Sequence, residues 1–560
     1  MNGILQGRGA AKADPLGCRY TQGPEKDSAI VRVRTYKTPD LEVNGVDRVD
    51  RGSPSMIAEL STARERMTAQ ACSRRGFLSS CMGIAVGASL APAPAASHRS
   101  DLTDLTLSEA SEFLASRIVS AVELTQACLD RIEKFNPALN AFITVTGEQA
   151  LTVARQRDEE LRRGKRAGPL HGIPIAVKDN IDTAGVRTTA ASELFKDRVP
   201  SEDAEVVRRL KEAGAILLGK TNLQEFAYGG SSAVSCFGPV HNPWGLKRIP
   251  GGSSGGSAAA TAAGLCFGSL GTDTAGSVRM PASYCGIVGL KPTYGRVSNR
   301  GSIPLSWTLD HIGPLCRTVR DTALILEAIA GFDTREPGSA DVPADRYSRA
   351  LTLGKSKLRI GLPRHPFFDE LDSEIATAVT TAIDVMRPWT ESVRDMELPP
   401  LPAMHFVMGT EAYAYHERWI ADSPQKYQPD TLHRLIGLSE HVSKEDYANA
   451  RRACDVLRRD IVKLFADVDV LIMPTVPGPP SLIEPIADNA ARDPERTRNT
   501  WPFDVTGLPA ISVPCGFSRS GLPIGLQIVG APFAESTVLA LAYAYEQASE
   551  WHRRKPTLPS

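Results

Sequence analysis

Residues 251–260 read GGSSGGSAAA, and this stretch governs how the rest of the chain is interpreted. An alanine-rich run follows the glycines, so the pattern predicts a tight turn that leads directly into a helix. A phosphate-binding P-loop is disfavoured because no GK[ST] motif is present here. A flexible linker is disfavoured because such linkers join polar segments. The stretch therefore places serine hydroxyls and backbone N–H groups together at the start of a helix.

A second stretch of small residues, GTDTAGSVRMPA, spans residues 271–282. Ser277 follows two small residues, which lets a substrate approach the backbone closely. Consecutive N–H groups in such a loop can face a developing oxyanion. Ser277 is therefore a candidate nucleophile, but a serine is weak at its own pKa and needs a base.

Two kinds of base are compatible with the residues. A Ser-His-Asp arrangement could use His241 or His311, the histidines nearest in sequence, but the chain has no GxSxG elbow around Ser277. A lysine can serve if burial lowers its pKa. Lys178 is the candidate, because it ends the apolar run IPIAVK at 173–178.

Four blocks of sequence resemble the amidase signature family. In chain order they are GIPIAVKDNID (172–182), PGGSSGGSAAATAAG (250–264), GTDTAGSVRMPASYCGIVGLKPTYGRVS (271–298) and TGLPAISVPCG (506–516). The likeness runs from about residue 101 to about residue 555. One glycine- and serine-rich block is weak evidence, whereas four blocks in the right order are specific.

The resemblance implies a Ser-cisSer-Lys triad made of Ser277, Ser253 and Lys178. Ser277 would attack the carbonyl carbon and carry the acyl group. Ser253, on a cis peptide, would pass a proton between Ser277 and a neutral Lys178. The same hydroxyl would then deliver that proton to the leaving amine.

The resemblance also implies residues that support this triad. The expected oxyanion hole consists of the backbone N–H groups of Thr274, Ala275, Gly276 and Ser277. Three side chains are expected to brace the site, one near the lysine and two as an ion pair: Ser254, Asp273 and Arg279. Two departures from the family pattern are Ala275, where many members have glycine, and Asp504, where the usual PFNxTG has asparagine.

Strands and helices alternate along the chain, which predicts an α/β fold. The resemblance implies a central mixed twisted sheet with helices on both faces. Strands are expected near 141–146, 173–178, 216–219, 509–514 and 525–530, and helices over 204–213 and 536–549, with another that stops at Asn136-Pro137. The domain is assigned to residues 97–560. Within it, a polar, proline-containing segment at about 335–500 is expected to lie over the sheet and contribute the substrate pocket.

The N-terminal residues have the pattern of an export signal. SRRGFLSS at 73–80 precedes a short apolar run and small-residue cleavage options, which is typical of a twin-arginine signal over residues 67–96. Residues 1–66 are then an upstream over-translation or a disordered extension. The predicted location is the periplasm, or the cytoplasm if the signal is not used.

Composition narrows the expected partners. Lys+Arg and Asp+Glu both total 64, giving a formal net charge of +0, so no global field favours nucleic acid. The sequence contains no CxxC pair, which is a spacing typical of cysteine metal sites. Neither a metal nor another cofactor is expected. The predicted partner is a small-molecule amide, with no nucleic acid and no stable membrane anchor, and a homodimer is allowed.

These features predict an amidase that releases acid plus ammonia or an amine. The alternative is an amidotransferase subunit that releases ammonia from glutamine for tRNA-dependent amidation. In that subgroup an acidic residue that anchors the glutamine ammonium is expected where this chain has Thr497. A non-catalytic binding module is disfavoured because all three triad residues are present.

Overall fold

The sheet in the computed structural model has 11 strands, in the order β1-β3-β2-β4-β6-β5-β10-β11-β9-β7-β8. Strand β2 is parallel to β3 and β4, whereas β4, β5, β10 and β11 have antiparallel neighbours, so the sheet is mixed. The strands are β1 (Phe142–Val145), β2 (Pro174–Lys178), β3 (Ile216–Thr221), β4 (Gly268–Asp273), β5 (Val288–Lys291), β6 (His311–Cys316), β7 (Leu358–Pro363), β8 (Thr390–Met396), β9 (Val470–Pro474), β10 (Ala510–Phe517) and β11 (Pro523–Gly530).

Helices flank this sheet, which confirms the predicted α/β class. They are α1 (Leu107–Ala115), α2 (Ala121–Leu139), α3 (Gly147–Arg162), α4 (Glu205–Glu212), α5 (Gly255–Ala262), α6 (Arg279–Cys285), α7 (Val319–Ile329), α8 (Tyr347–Ala350), α9 (Ser373–Met386), α10 (Met404–Asp422), α11 (Pro429–Ser439), α12 (Lys444–Ile461), α13 (Asp493–Thr497), α14 (Pro502–Val505) and α15 (Glu535–Ala548). The largest apolar core lies between the sheet and helices such as α2, α7, α9 and α15.

Helix α2 extends further than the sequence predicted. It runs through Pro137 to Leu139, so the expected stop at Asn136-Pro137 is wrong. A proline in the last turn removes only one backbone donor, and the helix tolerates this loss near its end. Asn140 ends the helix instead, in the left-handed conformation (φ 50°), and its N–H donates to the carbonyl of Asn136 at 2.7 Å.

The segment at about 335–500 contributes to the sheet as well as to its surroundings. Strands β9, β7 and β8 extend one end of the sheet, so this segment does not simply lie over it. Strand β8 is the terminal strand and keeps several side chains exposed, as an edge strand can. Its polar sequence therefore does not show the apolar run by which an interior strand is identified.

The structure describes residues 101–351, 357–439, 441–485 and 493–558, all within one compact unit, Ala95–Ser560. The expected N-terminal extension (1–66) and export signal (67–96) lie outside these residues and stay predictions. Within the described ranges, no helix combines the length and apolarity that crossing a bilayer requires.

Candidate active site

Lys178 lies at the carboxyl end of β2, beside the parallel strand β4. Its side chain is fully buried, and Nζ donates to the hydroxyls of Ser253 and Thr272, each at 2.7 Å. Carboxyl ends of neighbouring parallel strands meet at one edge of a sheet, which is why β4 supplies Thr272 at this point. Thr272 lies within the 271–298 block, but no pattern in the sequence distinguishes it from its neighbours.

Burial sets the protonation state of Lys178. Loss of hydration lowers its pKa to about 7, although the negative charges of Asp310 and Asp273 act in the opposite direction. A substantial fraction of the amine is therefore neutral near pH 7. In that state Nζ can accept a proton from Ser253, with which it already shares a hydrogen bond.

Ser253 lies in the glycine turn before α5, and the Gly252–Ser253 peptide bond is cis. The Ser253 carbonyl accepts hydrogen bonds from the Gln224 N–H at 3.2 Å and from the Ser232 hydroxyl at 3.1 Å. A Cβ on Gly252 would come within 2.8 Å of the Ser232 nitrogen, so only glycine fits without movement. The loop therefore follows the neighbouring backbone closely.

Ser277 lies in the loop between β4 and α6, with 7% of its surface exposed. Its carbonyl accepts a hydrogen bond from the Ser254 N–H at 3.2 Å. The Ser254 hydroxyl donates to the Thr272 carbonyl at 3.1 Å and accepts from the Thr272 N–H at 3.2 Å. Ser254 thus connects the Ser253 loop to the Ser277 loop beside Thr272, the residue whose hydroxyl accepts from Lys178.

No hydrogen bond joins the Ser253 and Ser277 hydroxyls among the described residues, and such catalytic contacts often form only when substrate binds. Nor does a hydrogen bond join the Ser277 hydroxyl to a histidine within those ranges. His241 Nδ1 pairs with the Leu246 carbonyl at 2.6 Å, and His311 Nδ1 lies 3.3 Å from the Asp273 carbonyl. The lysine arrangement is the one that the geometry supports.

The expected oxyanion donors differ in their availability. The Gly276 N–H donates to the Asp273 carboxylate at 2.5 Å, so this donor already has a partner, contrary to the expectation. The N–H groups of Ala275 and Ser277 have no hydrogen-bond acceptor within the described ranges. Thr274, which starts the loop, donates its hydroxyl to Asp310 at 2.6 Å. The Thr274 N–H likewise has no acceptor among the described residues, so three of the four expected N–H groups are available to an oxyanion.

Arg279 and Asp273 brace the loop from below as a fully buried ion pair. Arg279 Nε lies 2.9 Å from Asp273 Oδ2, and Asp273 also accepts from the N–H groups of Gly276, Val278 and Arg279. Burial opposes the charge on Asp273, but Arg279 outweighs it and lowers the pKa of this carboxyl. Asp273 is therefore the ionised partner of Arg279.

Asp504 is the second carboxyl on Arg279, with Arg279 Nη2 donating to its Oδ2 at 2.6 Å. Burial and the nearby negative charge of Asp273 raise the pKa of Asp504 well above its ordinary value, although Arg279 acts against this rise. Asp504 is thus the protonated member of the cluster. A neutral carboxyl here resembles the asparagine amide of the usual PFNxTG in charge and shape.

Asp504→Asn is expected to raise the midpoint of thermal unfolding by about 2–4 °C at pH 8, with a smaller gain towards pH 5. The folded-state pKa of Asp504 lies above its unfolded value. Its protonation therefore stabilises the fold at low pH, and this contribution is lost as the pH rises through the folded-state pKa. Thermal unfolding at the two pH values measures the difference.

Asp504→Leu is the control variant, and it should lower the thermal midpoint at both pH values, because Arg279 loses a buried partner. An equal gain for Asn at both pH values would contradict the assignment.

A cavity of about 820 Å³ opens beside Ser277. Much of its wall is apolar, from Met280, Leu305, Met404, Met408 and Trp501. Arg434 and Asp493 are charged residues of the same lining, and their Nη2 and Oδ2 lie 2.8 Å apart. Several of these residues come from the 335–500 segment, but no sequence signal identified them individually.

Within the described residues, no group of three or more His, Cys, Asp or Glu side chains could hold a metal ion.

The family model that matches this chain is described as Amidase and covers residues 123–539. The chain is 43% identical to a glutamyl-tRNA(Gln) amidotransferase subunit of Moorella thermoacetica, over 82% of this chain and 99% of the relative. A solved structure of the corresponding subunit from Thermotoga maritima is 31% identical, with TM-score 0.69, covering 82% of this chain and 99% of that one. A structure of 6-aminohexanoate cyclic dimer hydrolase with substrate is 29% identical, with TM-score 0.73, covering 81% and 99%.

These relatives correct the expected partners. The expected partner was a small-molecule amide, with no nucleic acid and a homodimer allowed. This expectation is contradicted, because these relatives are subunits of an enzyme named for glutamyl-tRNA(Gln). The expectation rested on a net charge of +0. The charge of one chain was too weak an argument, because other subunits of an assembly can supply the positive surface that binds a nucleic acid.

Proposed function

The chain belongs to the amidase signature family, and from this premise we propose that it hydrolyses a carboxylic amide through an acyl-Ser277 intermediate. The observation that carries the proposal is the 2.7 Å hydrogen bond between a buried Lys178 and Ser253. A lysine with a pKa near 7 can act as a base at neutral pH, as an ordinary surface lysine cannot.

In the proposed mechanism, Ser277 Oγ attacks the amide carbon while its proton passes to Ser253, whose own proton passes to Lys178. The negative charge on the carbonyl oxygen is stabilised by the N–H groups of Ala275 and Ser277. The proton then returns through Ser253 to the nitrogen, the C–N bond breaks, and ammonia or an amine leaves. Water repeats the sequence on the ester and releases the acid.

The first candidate amide is glutamine, with the released ammonia used for tRNA-dependent amidation. The observation that favours it is the 43% identity over 99% of a glutamyl-tRNA(Gln) amidotransferase subunit. On this proposal the chain works with other subunits and with tRNA. The location is then the cytoplasm, which is the second of the two locations expected from the sequence. An intact mass that starts near residue 97 would instead support export.

A second candidate is a larger, apolar amide, and the cavity favours it. Met280, Met404 and Met408 give the cavity beside Ser277 an apolar wall, which suits an apolar acyl group. Thr497 lines the same cavity, where an acidic side chain is expected to anchor the glutamine ammonium in the amidotransferase subgroup. Its hydroxyl donates to the Asp493 carbonyl at 2.9 Å.

The test measures ammonia released from glutamine and from an apolar primary amide such as N-acetylphenylalaninamide. Each is assayed with the full chain alone and with the other subunits of a tRNA amidotransferase plus glutamyl-tRNA. We expect turnover of at least one amide. Glutamine turnover that depends on the added subunits supports the first candidate, and turnover of the apolar amide by the chain alone supports the second. If neither amide releases ammonia under any condition, amide hydrolysis is contradicted.

A further inference from the structure

Asp310 holds the loop that leads to Ser277. This residue directly precedes β6, is 7% exposed, and accepts a hydrogen bond from the Thr274 hydroxyl at 2.6 Å. Its carboxylate also accepts from the N–H groups of Leu305 at 3.0 Å and Ser306 at 3.1 Å. One buried carboxylate therefore joins the start of the Ser277 loop to the chain at 305–306.

Glu411 continues this connection from the other side. It lies on α10, is 1% exposed, and accepts from the Ser306 hydroxyl at 2.7 Å. It also accepts from the Thr308 N–H at 3.1 Å, the Thr308 hydroxyl at 2.7 Å and the Tyr447 hydroxyl at 3.1 Å. Both oxygens of each carboxylate have partners, and a buried polar network that is fully satisfied is rigid.

Helix α10 is also a wall of the substrate cavity. Met404 and Met408 line the cavity, and Glu411 follows them at the spacing i, i+4, i+7, which places all three on one side of the helix. Leu305, next to Ser306, lines the cavity as well. The contacts thus run from the substrate wall through Glu411, Ser306 and Asp310 to Thr274.

We propose that Asp310 and Glu411 are positioning residues that hold the Thr274–Ser277 loop in register with the wall of the substrate cavity. Neither carboxylate contacts the Ser277 hydroxyl within the described ranges. They act through the loop backbone, whose N–H groups must face the oxyanion in the transition state. Misplacement of such donors by about 1 Å costs on the order of 10²-fold in rate. This inference rests on the proposed acyl-Ser277 chemistry.

The test compares Glu411→Leu with Glu411→Gln. A glutamine oxygen can accept from Ser306 and the Thr308 N–H, while its amide group donates to the Thr308 and Tyr447 hydroxyls, so it can satisfy every contact of the carboxylate. Leucine can satisfy none. We expect kcat per active site to fall about tenfold or more in Glu411→Leu, with KM changed by less than about threefold, and to be restored in Glu411→Gln.

Active sites are counted by stoichiometric labelling of Ser277 with a fluorophosphonate, so that misfolded protein does not enter kcat. Ser306→Ala is the second variant in case Glu411→Leu fails to fold, because it removes only the hydroxyl that donates to Glu411 and keeps the Ser306 N–H on Asp310. We expect a severalfold fall in its kcat per labelled site. If Glu411→Leu and Ser306→Ala both fold and both keep the wild-type kcat per labelled site, the inference is overturned. If Glu411→Leu fails to fold, the wild-type kcat in Ser306→Ala alone overturns it. Failure of the wild-type chain to label would instead contradict the acyl-Ser277 proposal.

Discussion

Ser277→Ala is expected to lower the rate of amide hydrolysis by about 10⁴-fold or more while leaving the fold intact. The hydroxyl is the proposed nucleophile, and it belongs to the loop whose Ala275 and Ser277 N–H groups have no acceptor among the described residues. The Ser277 side chain makes no hydrogen bond within the described ranges, so alanine costs the fold little. Ammonia release and thermal unfolding of the purified variant measure the two effects.

Ser283→Ala is the matched control for this prediction. Ser283 lies on α6, six positions after Ser277 along the chain, and its buried hydroxyl has no hydrogen-bond partner among the described residues. Its removal should change neither activity nor stability by much. Amide hydrolysis at the wild-type rate in Ser277→Ala would contradict the proposed nucleophile, whatever the result for Ser283→Ala.

Lys178→Met is expected to cause a loss on the order of 10³-fold or more, because Ser253 then has no base to receive its proton. Lys178→Arg should not restore activity, since a guanidinium cannot lose its proton at neutral pH. The wild-type rate should fall as the pH drops below about 7, where Lys178 becomes protonated, and hold above it. Steady-state rates between about pH 5 and pH 9 measure this limb.

Lys291 provides the control for the pH profile. This buried lysine also has its pKa lowered to about 7 by burial, but its Nζ donates to the carbonyls of Leu508 and Pro292 rather than to a serine. Lys291→Met should lower the thermal midpoint, because two carbonyls lose their donor, and keep the limb near pH 7. If Lys291→Met lost the fall in rate below about pH 7, that fall would reflect the protonation of Lys291 and not of Lys178. Full activity of Lys178→Arg would equally exclude Lys178 as the base.

Local patterns in the sequence predicted much of the fold. The sequences Thr106-Leu107-Ser108-Glu109 and Ser120-Ala121-Val122-Glu123 have the capping-box pattern, and both boxes form at the starts of α1 and α2, since the two partners of each box lie within one turn. Interior strand β2 is buried throughout and is apolar up to Lys178, and this apolar run identifies it in the sequence. Edge strand β8 was not, because half-exposed positions at the end of a sheet do not require apolar side chains.

The site shows the same division between local and distant information. Lys178, Ser253 and Ser277 lie in short blocks whose spacing is visible in the chain, and the structure brings Lys178 and Ser253 together. The hydrogen bond from the Gly276 N–H to the Asp273 carboxylate depends on the orientation of a side chain, which no sequence pattern predicts. Arg434 and Asp493 pair across a long stretch of chain, so only the fold shows that they meet.

The wall of the cavity and the proton-transfer residues come from different stretches of the chain. Lys178, Ser253 and Ser277 lie between β2 and α6, whereas much of the cavity wall comes from α10, α11 and α13. Substrate preference can therefore diverge by substitutions in one stretch while the chemistry is inherited unchanged in the other. Relatives with names as different as a cyclic dimer hydrolase and a tRNA amidotransferase subunit are what such modular inheritance produces. Glu411, on the wall helix α10, hydrogen-bonds Ser306 and Thr308 just before β6, so we expect divergence at this position of the wall to be constrained.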